Sequence, residues 1–190
     1  MRHFDDLLPI VSKPEVMRFI MNGKTWTPDK LKEKLEMSDA DWRGQVAPAH
    51  RGYFWAVRDG GRAVGLVGFF RRHENGPFEF RVFLDNTLQR RGLGSRATRE
   101  ALRRFAELVP ATPVEGAAHA DNPGGAALMR KVGFTDAGPG TIGRHQVQKF
   151  LCASPALAGK RPRSQAAGGS DQDPAEPPTK LRRLNSDDQQ

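Results

Sequence analysis

The sequence predicts an α/β protein in which antiparallel strands come first and strand–helix units follow. Two observations carry this. Apolar runs at residues 53–57, 63–70 and 78–84 are separated only by short turn signals, Asp59-Gly60-Gly61 and Asn75-Gly76. Such connections are too short for parallel crossovers and suit hairpins. The third run then leads through a short loop into a glycine pair, Gly92 and Gly94, at the head of a helical pattern. There Leu93, Ala97, Ala101, Phe105 and Leu108 share one face.

The elements follow in order. Residues 1–12 are weakly patterned, and Pro9 makes Leu7-Leu-Pro-Ile-Val11 a poor strand. Residues 14–21 read as a short helix, with Pro14 at its first position and Gly23 as the stop. Thr27 caps a second helix with an apolar stripe at Leu31 and Leu35, and residues 39–52 have no clear period. After the three strands, the glycine-led helix runs to Leu108 and Pro110 ends it. A strand of small residues at 114–120 leads to a helix capped by Asn122, with Pro123 first and Gly133 closing it. Residues 146–151 form the last expected strand.

Composition bounds the function. The chain of 190 residues suits one domain, 1–151, plus an appendage, 152–190. That tail holds no Phe, Tyr or Trp and collects Pro, Gly, Ser, Gln and Asp, so it is expected to be disordered. Its basic clusters, Lys160-Arg161-Pro-Arg163 and Lys180-Leu-Arg182-Arg183, fit a nuclear-import receptor or a solvated linker. The formal net charge is +8, and because the tail is nearly balanced the domain carries most of it. A basic body suits phosphate ligands, nucleic acid or an acidic partner. The single cysteine, Cys152, excludes an intrachain disulfide and a cysteine zinc site. No metal is expected. No apolar run reaches the ~18–20 residues of a membrane helix, and the first residues lack a signal-peptide core. An intracellular protein, cytoplasmic or nuclear and not secreted, is the expectation.

The glycine pair carries the chemistry. Glycine at a helix start lets backbone approach a ligand, and the free N–H groups with the helix dipole make an anion site suited to pyrophosphate. Gly92-Leu-Gly94-Ser-Arg-Ala97 also fits a dinucleotide pattern. That pattern needs a parallel βαβ unit and an acidic residue at the end of the next strand; Glu115 stands at its start, so this reading is set aside.

Gln89-Arg-Arg-Gly92-Leu-Gly94 matches the acetyl-CoA signature Gln/Arg-x-x-Gly-x-Gly/Ala of the GNAT (Gcn5-related N-acetyltransferase) superfamily. Asn122, a short helix and Lys131-Val-Gly133-Phe134 match its second signature. Pro14-Glu-Val-Met17, Thr27 and Val64-Gly-Leu-Val-Gly68 further resemble the ribosomal-protein N-acetyltransferase (RimJ/RimL-like) branch. The likeness covers about residues 14–151. It implies a GNAT fold, a mixed, mostly antiparallel, splayed sheet of about six strands flanked by helices, with the first edge strand missing or borrowed from a second copy in a dimer.

The resemblance also implies acetyl-CoA as co-substrate. Its pyrophosphate would lie on Gln89, Arg90, Arg91, Gly92, Leu93, Gly94 and Ser95. Its pantetheine arm would run along Val82, Phe83 and Leu84, with the N–H of Val82 or Phe83 polarising the thioester carbonyl. Asn122 and Met129 would border the cofactor; many relatives carry a Tyr where Met129 stands. Glu79 is the candidate general base, and His119 the candidate lining of the amine pocket. The leading reading is an N-acetyltransferase acting on a protein N-terminus, a lysine or a small amine by direct attack. The alternatives are a non-catalytic CoA-binding or interaction protein and a basic nucleic-acid-binding protein. Against the last, the aromatic residues sit in apparent core strands rather than among the arginines.

Overall fold

A computed structural model describes residues 3–20, 23–44, 52–71, 73, 76–153 and 181–183. A seven-stranded sheet organises them. It contains β1 (Gly52–Asp59), β2 (Arg62–Phe70), β3 (Phe78–Leu84), β4 (Val114–His119), β5 (Thr135–Ile142), β6 (His145–Cys152) and β7 (Leu181–Arg183). Their order across the sheet is β5-β6-β4-β3-β2-β1-β7. Every neighbouring pair is antiparallel except β3 and β4.

Helices cover both faces. α4 (Leu93–Leu108) and α5 (Pro123–Lys131) pack on one side. The core there includes Phe69, Phe78, Phe80, Phe105, Phe134 and Phe150. Phe105 is fully buried and stacks on Phe69 at 4.3 Å between ring centroids. α1 (Phe4–Val11), α2 (Pro14–Met17) and α3 (Pro28–Trp42) close the other side. Leu7, Ile10, Val11, Met17 and Leu31 pack there against Ala56, Ala63 and Leu66. As read from the sequence, Thr27 caps α3, accepting from the Lys30 N–H at 3.2 Å.

The structure departs from the sequence expectation in four respects. Residues 4–11 form α1, with Pro9 inside it. Leu7, Ile10 and Val11 have helical spacing and are all buried, and their burial outweighs the hydrogen bond that Pro9 cannot donate. Asp6 fastens α1 to the sheet by accepting from the Ala63 N–H at 2.9 Å. That bond holds its carboxyl below the usual range. The helix α2 ends at Met17, while α3 runs on to Trp42 through a stretch expected to be loop.

β5 is the third departure. It contains Gly138, Pro139 and Gly140 and no apolar alternation, so it gives no strand signal; as an edge strand it needs neither a buried face nor every N–H. The fourth concerns residues read as tail. Cys152, its expected head, closes β6 beside β5 and is buried. Leu181–Arg183, in the second basic cluster, pairs antiparallel with β1 through Trp55↔Arg183, Ala56↔Arg182 and Val57↔Leu181. The edge expected to lack a strand, or to borrow one from another copy, is thus occupied from the chain's own C-terminal part. The remaining tail residues, 154–180 and 184–190, lie outside the described residues, and so do residues 45–51 of the unpatterned stretch 39–52.

Candidate functional site

The one parallel pair among the described residues makes the site. β3 and β4 are in register at Phe78↔Val114 and Glu79↔Glu115 and nowhere beyond. On its other side β3 stays paired with β2 as far as Gly65↔Leu84. The two strands therefore separate towards their C-terminal ends, and Val82, Phe83 and Leu84 lie beyond the β3–β4 ladder.

α4 starts at the mouth of this opening. Its N-cap is Gly92, at φ 74°. A side chain there would be strained in the left-handed region, although a Cβ would meet nothing within 4 Å. A Cβ on Gly94 would lie 3.3 Å from Leu84 Cδ1 and 3.9 Å from Leu128 Cδ2, so the helix start is wedged between the end of β3 and α5. Arg90 also has positive φ, 64°, unusual for a bulky residue and a sign that surrounding structure dictates the loop's shape. The first turn of α4 holds no acidic residue. Arg90 and Arg91 are exposed. The first intrahelical bond at this end runs from the Arg96 N–H to Gly92 O, so the preceding N–H groups point outward from the helix start.

A hydrogen-bonded strut supports the loop. Asp85 caps the short 3₁₀ turn Asn86–Leu88, accepting from the Thr87 N–H at 3.0 Å. Lys13 reaches it from between α1 and α2, 3.1 Å from both Oδ1 and Oδ2. Burial pushes the Asp85 carboxyl up, but these bonds outweigh it and hold the group below its usual range. The helical layer and the glycine loop are thereby tied together, a link invisible in the sequence because Lys13 and Asp85 are far apart in the chain.

The remaining predicted residues divide. Val82, Phe83 and Leu84 end β3, and Phe83 faces the α1–α3 layer, edge-on to Trp26 at 6.1 Å. Asn122 caps α5, its Oδ1 accepting from the Gly125 N–H at 2.9 Å. Met129 lies in the main core, where a Cβ on Gly116 would be 2.7 Å from its Cε. Glu79 stands at the closed end of the opening, 3.7 Å from the Arg81 guanidinium. Arg81 in turn lies over the Phe70 ring at 4.3 Å. Arg130 pairs with Asp136 at 2.8 Å. His119 stands at the open end, packed on Phe19 with ring centroids 5.5 Å apart. Its Nε2 lies 3.1 Å from His145 Nδ1. Sequence reading missed His145, which is half-buried at the start of β6, just after the turn at residues 143–144; only the β4–β6 register brings it to His119.

A family model described as an acetyltransferase (GNAT) domain matches residues 1–135. Among solved structures, a GNAT-family acetyltransferase from Bacillus anthracis superposes with TM-score 0.63 at 14% identity, over 80% of this chain and 89% of that one. The ribosomal-protein-alanine N-acetyltransferase from Brucella melitensis gives 0.63 at 18% identity, over 80% and 94%. The spermidine N-acetyltransferase from Vibrio cholerae, in complex with CoA and spermine, gives 0.62 at 15%, over 80% and 90%. No curated protein matches the sequence.

Proposed function

The chain belongs to the GNAT acetyltransferase family, and from that premise we propose that it is an acetyl-CoA-dependent N-acetyltransferase whose acceptor is a primary amine of a peptide or small molecule. The observation that carries this is the parting of β3 from β4 after Glu79↔Glu115, with the glycine-led start of α4 at its mouth.

The residues present fit acetyl-CoA. The outward N–H groups before Arg96, the helix dipole and the exposed Arg90 and Arg91 suit a pyrophosphate, and no carboxylate in the first turn opposes it. The end of β3 beyond the β4 ladder, Val82 to Leu84, offers backbone groups to the amides of a pantetheine arm, and the N–H of Val82 or Phe83 to a thioester carbonyl. When bound, acetyl-CoA supplies an activated acetyl group with a good leaving thiolate. The chain's own work is then to hold the donor in the opening, seat the amine beneath the α1–α2 layer, and take a proton from it so that its lone pair is free to attack. Glu79 and His119 both stand on the sheet face towards that layer. The Met129 thioether, buried and without a proton to give, does not serve the departing thiolate.

Acceptors of the structural neighbours, a polyamine and a ribosomal-protein alanine, define the first panel. The full chain is titrated with acetyl-CoA while its unfolding is followed, then offered spermidine and alanine-initiated peptides while release of free CoA thiol is measured. Binding with amine-dependent thiol release is the expected result. Binding without turnover on any amine would favour a non-catalytic CoA-binding protein, the reading that Met129 favours; absence of binding would overturn both.

A further inference from the structure

We propose that His119, oriented by His145, is the proton acceptor for the incoming amine. This rests on the acetyltransferase reading above and names the group that reading leaves open.

The placement follows from the strand alternation of β4. Val114 and Ala118 point into the main core and Gly116 lies under Met129. His119 therefore points to the opposite face, towards Phe19 and the α1–α3 layer, with 22% of its side chain exposed. It is the last residue of β4, at the wide end of the opening. His145 starts β6 and shares the face of Val147, which pairs with His119.

The hydrogen bonds select a tautomer. The backbone N–H of Asp121 donates to His119 Nδ1 at 3.2 Å. Nδ1 of the neutral ring thus carries the lone pair and Nε2 the proton, and Nε2–H donates to His145 Nδ1 at 3.1 Å. The basic nitrogen is Nδ1, which an incoming ammonium reaches by displacing the Asp121 N–H, and the Asp121 carboxylate oxygen Oδ2 lies 3.6 Å from it. Protonation there replaces acceptance from a backbone N–H by an ion pair with Asp121, while His145 continues to accept from Nε2–H. The second imidazole so plays the orienting part that a carboxylate plays beside other basic histidines.

Other charged groups on this face are Arg18, whose guanidinium covers the Phe19 ring at 4.2 Å, Lys149 on β6, with its Cδ 3.1 Å from a Cβ position at Gly140, Glu115 on β4, and Glu79 and Arg81 on β3. Arg144 adjoins His145 in the chain. Glu79 already pairs with Arg81, whereas no cation pairs with the His119–His145 unit among the contacts above.

The proton balance is simple. An ammonium acceptor gives one proton to His119 Nδ1. The amine lone pair forms the C–N bond, the C–S bond breaks, and the second nitrogen proton ends on the CoA thiolate. His119 returns its proton to water.

Two measurements on the full chain test this, and the first needs no cofactor. Ring ¹⁵N shifts of the histidines are followed against pH. His119 is expected as the Nε2–H tautomer, and its titration midpoint should move in His145→Leu and return in His145→Asn, whose Oδ1 replaces the Nδ1 acceptor. A neutral His119 protonated at Nδ1, or a midpoint indifferent to His145→Leu, would overturn the pair. The second is the pH profile of kcat with an accepted amine. His119→Gln should lose about 100-fold or more in kcat at neutral pH and abolish the acidic limb, with the acetyl-CoA thermal shift unchanged. His145→Leu should move that limb, and His145→Asn should bring it back. An intact acidic limb in His119→Gln, lost instead in Glu79→Gln, would overturn the proposal and assign the base to Glu79. Failure to bind acetyl-CoA in the unsubstituted protein would defeat the enzyme reading while leaving the ring measurements decisive for the pair.

Discussion

Gly92 separates folding from ligand binding, because its two constraints differ. Its φ of 74° is one that L side chains rarely adopt, yet a Cβ would touch nothing within 4 Å. Gly92→Ala therefore costs backbone strain alone, about 1–2 kcal/mol, with no steric addition. For a chain of this size that lowers Tm by roughly 2–8 °C. Gly92→Asp carries similar strain but sets a negative charge on the positive end of α4, which returns about 0.3–1 kcal/mol to the unliganded protein. In the proposed complex the same charge would face the pyrophosphate. At about 4 Å and an effective dielectric of about 20 the repulsion is about 4 kcal/mol, and solvent screening reduces it to roughly 1–3 kcal/mol, a loss of about 5- to 150-fold in affinity.

The assay is thermal unfolding with and without acetyl-CoA, backed by calorimetric titration. At ~100 times the dissociation constant the ligand adds about 2.7 kcal/mol, a rise of roughly 5–10 °C. The expected order is that Gly92→Asp unfolds no lower than Gly92→Ala without ligand yet gains less from it. Equal ligand gains in Gly92→Asp and the unsubstituted protein would refute the pyrophosphate assignment. A Tm loss in Gly92→Ala beyond about 15 °C would refute the claim that the position is sterically open.

Phe105→Ala should cost about 3–5 kcal/mol, measured by denaturant unfolding, since the ring is fully buried among Phe69, Phe78 and Tyr53. The Arg103 and Arg104 guanidinium groups bond to Glu100 and, against burial, hold its carboxyl down from 4.5 to about 2. Because the folded value lies below the unfolded one, this contribution is complete above pH ~4.5 and fades as pH falls towards ~2. Its Coulombic maximum is about 3 kcal/mol, which screening reduces to about 1 kcal/mol; Glu100→Gln should lower stability at pH 7 by that amount and leave it unchanged near pH 2. Removing residues 154–190 strips β7 from β1, so Tm should fall by a few degrees and light scattering should register concentration-dependent association through the bared edge. An edge indifferent to that deletion would mean that β7 contributes nothing to the sheet.

Much of the molecule is local enough to read in one dimension. The hairpins β1–β2–β3 are written in apolar runs between turn signals. α4 and α5 are written in periodicity, the glycine pair and the Asn122 cap, since each signal acts within a few residues. Both cofactor signatures are legible for the same reason: an anion site at a helix start is a local arrangement of backbone. α1 was also written locally, in the helical spacing of Leu7, Ile10 and Val11, but Pro9 spoke against it, and only packing on Ala63 and Leu66 decides between them.

Other features exist only through pairing across the fold. β5 and β7 have almost no apolar pattern and are strands because β6 and β1 offer open edges. The opening at the site depends on where the β3–β4 ladder stops, which is a matter of register and not of composition. Met129 packs into the core because Gly116 leaves room beneath β4. The Lys13–Asp85 strut and the His119–His145 pair join residues widely separated in the chain. Sequence alone thus determined the family and the glycine-led start of α4, whereas the proposed proton chemistry waits on contacts that only the folded sheet can make.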